Sequence, residues 1–317
     1  MLASIAATER IAFVFPGQGS QYVGMGKSLY EASEAARQVF HQADQTLGFA
    51  LTKLMFEGPD HELEDTINAQ PAILTLSVAC LAALKEKWNE LGSAIQPLFV
   101  AGHSLGEYSA LVAAEVLDFS DALTLVRERG RLMKETGEDR PGGMAAVVGL
   151  DRPTLEAICT EATALGMIVV ANTNTADQMV ISGELSALDR AVELCRERGA
   201  RAVVPLRISI ASHSPLMQEA AMRLAEVLAA IHLNDPVTPM MASIQGRILT
   251  TAEDVRLHMA SQLELPVEWT HSVREMIESG VETFVEIGPG QVLSRLIRKI
   301  SRDVRAMALG DTELSKL

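Results

Sequence analysis

The chain has 317 residues, 48% hydrophobic and 21% charged, a composition that can bury a sizeable core in one large domain or two smaller ones. Its net charge of −14 excludes general binding to nucleic acid or to an anionic membrane surface, and an acidic partner would need a local basic patch. The longest wholly apolar runs fall far short of the roughly 20 residues of a transmembrane helix, and MLASIAATER at the start lacks a basic region followed by an apolar core, so neither a membrane span nor a signal peptide is expected.

Ile11 to Phe15 reads as a buried strand running into Pro16-Gly17-Gln18-Gly19-Ser20-Gln21, where two glycines let a backbone N–H approach a ligand closely. A simple strand-to-helix turn is the other reading. It is not a phosphate loop, because the G-x-x-x-x-G-K-[ST] spacing is missing. Residues 33–47 and 51–57 are expected to be helical, with Gly48 and Gly58 as stops, and the acidic run Glu62 to Asp65 reads as solvated surface. Gln70-Pro71 opens a long apolar helix reaching about Leu91. Cys80, Cys159 and Cys195 are widely spaced in apolar helical contexts and read as buried free thiols, as in a reducing cytoplasm.

Leu98 to Ala101 is a second buried strand, and it enters Gly102-His103-Ser104-Leu105-Gly106, a G-x-S-x-G turn, ahead of a helix-forming run from Tyr108 to Leu117. Such a strand–turn–helix pushes a serine hydroxyl out at the end of a sheet, beside unpaired N–H groups that can stabilise an oxyanion. Taken alone, the same five residues also make a tight connection with no chemistry. Ser120-Asp121 reads as the cap of a helix through Leu132 that carries Arg127, Arg129 and Arg131, with Lys134 just beyond. Arg127 and Arg131 share a face, while Arg129 is turned about 200° from Arg127 and can point inward.

Gly137 to Gly143 reads as a linker. The order then becomes strand 144–149, helix 153–164, strands 166–171 and 177–182, helix 184–198 and strand 201–206, the β-α-β-β-α-β order of a ferredoxin-like unit. The expected fold is therefore α/β: an α/β-hydrolase-like parallel-sheet core from residues 1–138 and 207–317, with a ferredoxin-like subdomain inserted at 139–206. After the insertion come the polar segment Ile208 to Pro215, helices at about 215–231, 251–263 and 269–279, a strand from Val281 to Ile287, and a closing helix to about 300.

A serine nucleophile needs a base within hydrogen-bond reach. Of seven histidines, His41, His61 and His258 read as surface residues, His103 adjoins Ser104 but faces the other way in an extended segment, and His232 and His271 lie in no motif. His213 stands apart, in a loop between Ser212 and Ser214-Pro215, although a lone loop histidine is also a common structural residue.

FPGQGSQ at 15–21, GHSLGEYSA at 102–110, ERGRLM at 128–133, ASHS at 211–214, QLELPVEWT at 262–270 and EIGPG at 286–290 together resemble, in order and spacing, the motifs of the malonyl-CoA:acyl carrier protein transacylases, whose fold also serves the acyltransferase domains of fatty acid and polyketide synthases. The match runs from about residue 10 to 310. The resemblance implies that Ser104 attacks malonyl-CoA to form a malonyl-serine ester, and that His213 acts as base and acid. It also implies that the main-chain carbonyl of Gln262 holds the histidine, and that the N–H groups of Gln18 and Leu105 form the oxyanion hole. Arg129 and Gln18 would bind the substrate, with Arg129 gripping the malonyl carboxylate by two parallel hydrogen bonds.

The acyl group would then pass to the phosphopantetheine thiol of an acidic acyl carrier protein, in fatty acid synthesis. Arg295, Arg298, Lys299 and Arg302, or Arg127, Arg131 and Lys134, are the candidate docking patches. The implied chemistry needs no metal or bound cofactor, since CoA enters as a substrate. A cytoplasmic monomer without nucleic-acid or membrane partners is expected. Ile210-Ala211-Ser212-His213 is neither the HAFH form of malonyl-selective polyketide modules nor the YASH form of methylmalonyl-selective ones, and Leu265 stands where many relatives carry Asn. The alternatives are an acyltransferase serving a polyketide assembly line, a serine acyl hydrolase, and a silent carrier-binding module.

Overall fold

The structure, a computed structural model, describes residues 10–92, 95–206 and 208–316. Residues 1–9, expected to carry no signal peptide, lie outside the described residues, as does Arg207 at the expected subdomain boundary. The two apolar runs seen in the sequence become β1 (Ile11–Phe15) and β2 (Phe99–Gly102), paired in parallel, with every residue of both buried. Burial on both faces is why they read as unbroken apolar runs and not as alternating patterns. Ala12 and Val14 project into one core with Trp269, Phe284 and Leu296, while Phe13 and Phe15 project into a second with Leu74, Leu111 and Leu125.

After β2 comes the four-stranded layer made of β3 (Gly142–Val148), β4 (Ile168–Thr175), β5 (Gln178–Glu184) and β6 (Ala202–Pro205). Its order is β4-β5-β3-β6 with every pairing antiparallel, which is the ferredoxin-like arrangement. The helices Arg152–Ala162 and Leu185–Glu197 cover one face, over Ala145, Val147, Ile168 and Ile181. The other face, with Met144, Ala171 and Val180, turns towards the large layer. Reciprocal bonds from Thr173 N–H to Val267 O and from Val267 N–H to Ala171 O, both 2.8 Å, stitch the two layers together.

The large sheet is completed by β7 (Met240–Met241), β8 (Ile248–Leu249), β9 (Thr283–Ile287) and β10 (Arg305–Leu309), in the order β10-β9-β1-β2-β7-β8. It is parallel except for the β7–β8 pair. Three of these strands carried no signal in the sequence. β7 and β8 have two residues each, too few for any period, and β10 is rich in good helix formers that parallel pairing with β9 overrides. The helix Val292–Ile300 is therefore not the closing element.

Several boundaries also move. The long apolar helix is Thr66–Glu90, starting four residues before Gln70 because the Asp65 side chain accepts from Ile67 N–H and caps it; Pro71 lies inside. By length and apolar composition this helix could cross a membrane, contrary to the reading from apolar runs, yet 83% of its most apolar window is buried within the fold. The next long helix is Phe119–Asp139, with Asp118 and not Ser120 at its cap position. It absorbs Gly137, so only Arg140 and Pro141 remain of the expected linker. The three cysteines are buried and unpaired.

Candidate active site

The loops after β1 and β2 lie side by side, because parallel neighbours end at the same edge of the sheet. Their contact leaves no room for side chains: a Cβ on Gly106 would stand 2.1 Å from Phe15 O, and one on Gly17 2.4 Å from His103 O. Within this junction Ser104 takes a φ of 53°, a conformation uncommon for a residue with a side chain. The helix Gly106–Ala113 follows immediately, earlier and shorter than the run from Tyr108 to Leu117 suggested. Among the described residues the N–H groups of Gln18 and Leu105 have no acceptor, which leaves both available to a ligand.

Ser104 Oγ lies 2.7 Å from His213 Nε2. His213 also has a positive φ, 57°, and its Nδ1 faces two main-chain carbonyls, Gln262 O at 3.1 Å and Leu265 O at 3.0 Å. Carbonyl oxygens only accept, so Nδ1 carries the proton and Nε2 presents a lone pair to which the serine hydroxyl donates. Burial, then the charge of Arg129 and the neighbouring His103, push the His213 pKa down to about 4. The imidazole is therefore a neutral acceptor at neutral pH.

Arg129 is 1% exposed and reaches inward from its helix. It donates from Nη1 to Gln70 Oε1 at 2.8 Å, and from Nη2 to Ser104 Oγ at 3.2 Å and Gln262 Oε1 at 3.3 Å. Every one of these acceptors is neutral, and Nε has no partner among the described residues. A buried guanidinium with no carboxylate in hydrogen-bond contact, steadied only by Tyr108 and the more distant Glu107 charge, is costly unless an anion arrives. Burial lowers its pKa, though an arginine stays charged throughout the physiological range. Arg127 instead stacks over Phe49 at 4.4 Å, and Arg131 pairs with Glu128 and Glu135 on the helix surface. The structure thus brings Ser104, His213, Gln262, Arg129, Gln18 and Leu105 to one place.

Ser104 and His213 open on a cleft of about 260 Å³ between the two layers, walled by Met144, Asn172 and Val180 on one side and by Val292, Leu293 and Leu296 on the other. Beyond Gln18, Leu206 and Ile208 adjoins a wider cleft of about 800 Å³. Sequence reasoning missed several residues here. His103 was expected to face away, yet it lines the cleft, held by Asn174 Oδ1 at 2.8 Å from β4. His258, read as surface, is 4% exposed and bonded to Glu107 at 2.9 Å. Its spacing of four from Gln262 was the available signal, since that interval puts two side chains on one helix face. Gln70, four residues after Thr66, carried the same one.

A serine bonded to a buried imidazole, at the carboxyl ends of a parallel sheet roofed by an antiparallel layer, is an arrangement suited to acyl-group chemistry on an α/β scaffold. The family model of the acyl transferase domain matches residues 12–310, and the chain belongs to that family. It is 45% identical over 309 residues to the malonyl CoA-acyl carrier protein transacylase of Bacillus subtilis, covering 97% of this chain and 96% of the relative. Among solved structures, the acyl carrier protein S-malonyltransferase of Vibrio cholerae superposes with a TM-score of 0.89 at 39% identity, covering 96% of this chain and 97% of that one. A malonyl-transacylase solved with its type II polyketide acyl-carrier protein superposes at 0.92 and 40% identity, covering 97% and 98%.

Proposed function

We propose that the chain transfers a malonyl group from malonyl-CoA to the phosphopantetheine thiol of acyl carrier protein, through an ester on Ser104, in fatty acid synthesis. The observation that carries this reading is Arg129: a buried cation with only neutral partners, 3.2 Å from the hydroxyl that His213 activates. A malonyl thioester placed at Ser104 supplies the missing carboxylate. The names of the relatives support the same substrates.

His213 Nε2 takes the Ser104 proton as Oγ bonds to the thioester carbonyl carbon. The oxyanion that forms is stabilised by the free N–H groups of Gln18 and Leu105. Collapse breaks the C–S bond, and His213 returns its proton to the departing CoA sulfur. In the second half, the carrier thiol gives its proton to His213 and attacks the ester, and Ser104 leaves as the hydroxyl. Two carbonyls steady Nδ1 throughout, so no carboxylate is needed in the role of the third group.

Intact mass after brief mixing with malonyl-CoA tests the reading. A malonyl adduct absent from Ser104→Ala and discharged by carrier protein is expected. Arg129→Ala should slow malonylation by about 10- to 100-fold, the worth of hydrogen bonds to a charged group, with acetyl loading little changed. An adduct lost to water at one rate with or without carrier protein would make the enzyme a hydrolase. The solved polyketide complex favours a second reading in which only the carrier differs, and discharge onto the two carriers side by side separates them.

A further inference from the structure

Behind the site lies a buried chain of polar groups that the transfer steps do not use. Glu107 is 1% exposed, and three groups donate to it: Ser243 N–H at 2.7 Å and His258 Nε2 at 2.9 Å on Oε1, and Gln262 Nε2 at 2.6 Å on Oε2. Burial alone would raise the carboxyl's pKa, but His258, the Ser243 N–H and the Gln262 amide outweigh it and hold the group below its ordinary value. It is a carboxylate with three donors and no solvent.

The Gln262 amide is fully committed by this arrangement. Its NH2 group donates to Glu107 Oε2 and to Ser104 O, the latter at 2.8 Å, so its carbonyl oxygen must face the other way, 3.3 Å from Arg129 Nη2. The main-chain oxygen of the same residue receives His213 Nδ1. One residue therefore touches the serine turn, the base and the anion-binding arginine, and Glu107 is the charged acceptor among the groups that orient its side chain.

We infer that Glu107, anchored by His258 and Ser243, is a positioning residue for malonyl selectivity: it sets the Gln262 amide so that an acceptor, and not a donor, aims Arg129 at the acyl group on Ser104. This rests on the transferase reading above. Glu107 never touches substrate and acts through Gln262.

The test is Glu107→Gln. Ser243 N–H is a fixed donor, so the new amide must turn its oxygen there and its NH2 towards the Gln262 NH2. Gln262 then flips, Ser104 O loses its donor, and Arg129 meets an NH2 group. The ratio of malonyl to acetyl loading rates at Ser104, read by intact mass, is expected to fall about tenfold, the effect of losing one hydrogen bond to a charged group. Gln262→Met, which keeps the main-chain carbonyl but deletes the amide, should give the same fall and leave Glu107→Gln nothing further to remove in the double variant. An unchanged ratio, or equal loss of malonyl and acetyl rates, in a folded Glu107→Gln overturns the inference; if that variant does not fold, Gln262→Met decides on the same terms. A parent protein that forms no malonyl adduct at all overturns the transferase reading instead.

Discussion

At the scale of single residues the site is governed by where charge is left uncompensated. Arg129 and His213 share the Ser104 hydroxyl, and the cation lowers the basicity of the imidazole across it. The consequence for stability has a definite sign. An unfolded histidine titrates near 6.5, whereas folded His213 titrates at about 4, so between those values the unfolded chain binds more protons. The stability associated with neutral His213 is complete above about pH 6.5 and is lost as the pH falls towards 4, by up to about 3 kcal/mol. Urea unfolding of His213→Gln as a function of pH should show a flatter acid side than the parent. An identical slope in the two proteins would mean that the buried imidazole does not titrate as its surroundings require.

At the scale of elements, the site depends on how closely two long helices approach. Gly130 follows Arg129 on Phe119–Asp139, and a Cβ there would lie 2.7 Å from Thr66 O and 2.9 Å from Ile67 Cα at the start of Thr66–Glu90. Those atoms are backbone and cannot rotate away. The same turn of helix supplies Thr66, which receives the Gln70 amide, and Gln70, which receives Arg129. Alanine favours a helix over glycine by about 1 kcal/mol, yet Gly130→Ala is expected to destabilise by about 1–3 kcal/mol through overpacking. It should also raise the KM for malonyl-CoA. Gly137→Ala, on the same helix, meets the Ile210 side chain first, at 3.0 Å, and should cost less. Urea titration of the two variants checks the order, and a Gly130→Ala protein as stable as the parent would refute the packing argument.

At the scale of the molecule, the cleft exists because the bare face of the small sheet meets the carboxyl ends of the large one's strands, and the rim of that cleft carries exposed basic residues. The net charge of −14 repels an acidic carrier. Arg131 and Lys134 are tied to Glu128, Glu135 and Asp65, which weakens that candidate patch. The helix Val292–Ile300 keeps Arg295, Arg298 and Lys299 exposed while its Val292, Leu293 and Leu296 line the cleft. If this rim receives the carrier, kcat/KM for carrier protein falls as salt is raised, and Arg295→Glu with Lys299→Glu lowers it further while malonyl loading from CoA is unaffected. A rate that climbs with salt would mean that the global charge prevails and that the rim is not the docking surface.

Much of this was legible in the amino-acid order. Fully buried strands announce themselves as unbroken apolar runs, a strand feeding glycines and a serine announces a tight turn, and the β-α-β-β-α-β order of the inserted layer is a matter of local periods. Helical geometry set Arg129 apart from Arg127 and Arg131 and allowed it to point inward, which its burial bears out. What only the tertiary structure decided has no local signature. The short strands β7 and β8 and the edge strand β10 exist because neighbours offer backbone to pair with, and Phe119–Asp139 runs through a glycine that packing tolerates. The burial of His258 against Glu107 and the commitment of the Gln262 amide join residues 151 and 155 positions apart. Hydrogen bonds of that span depend on which faces the fold turns inward, and a residue's own neighbours in the chain do not determine that.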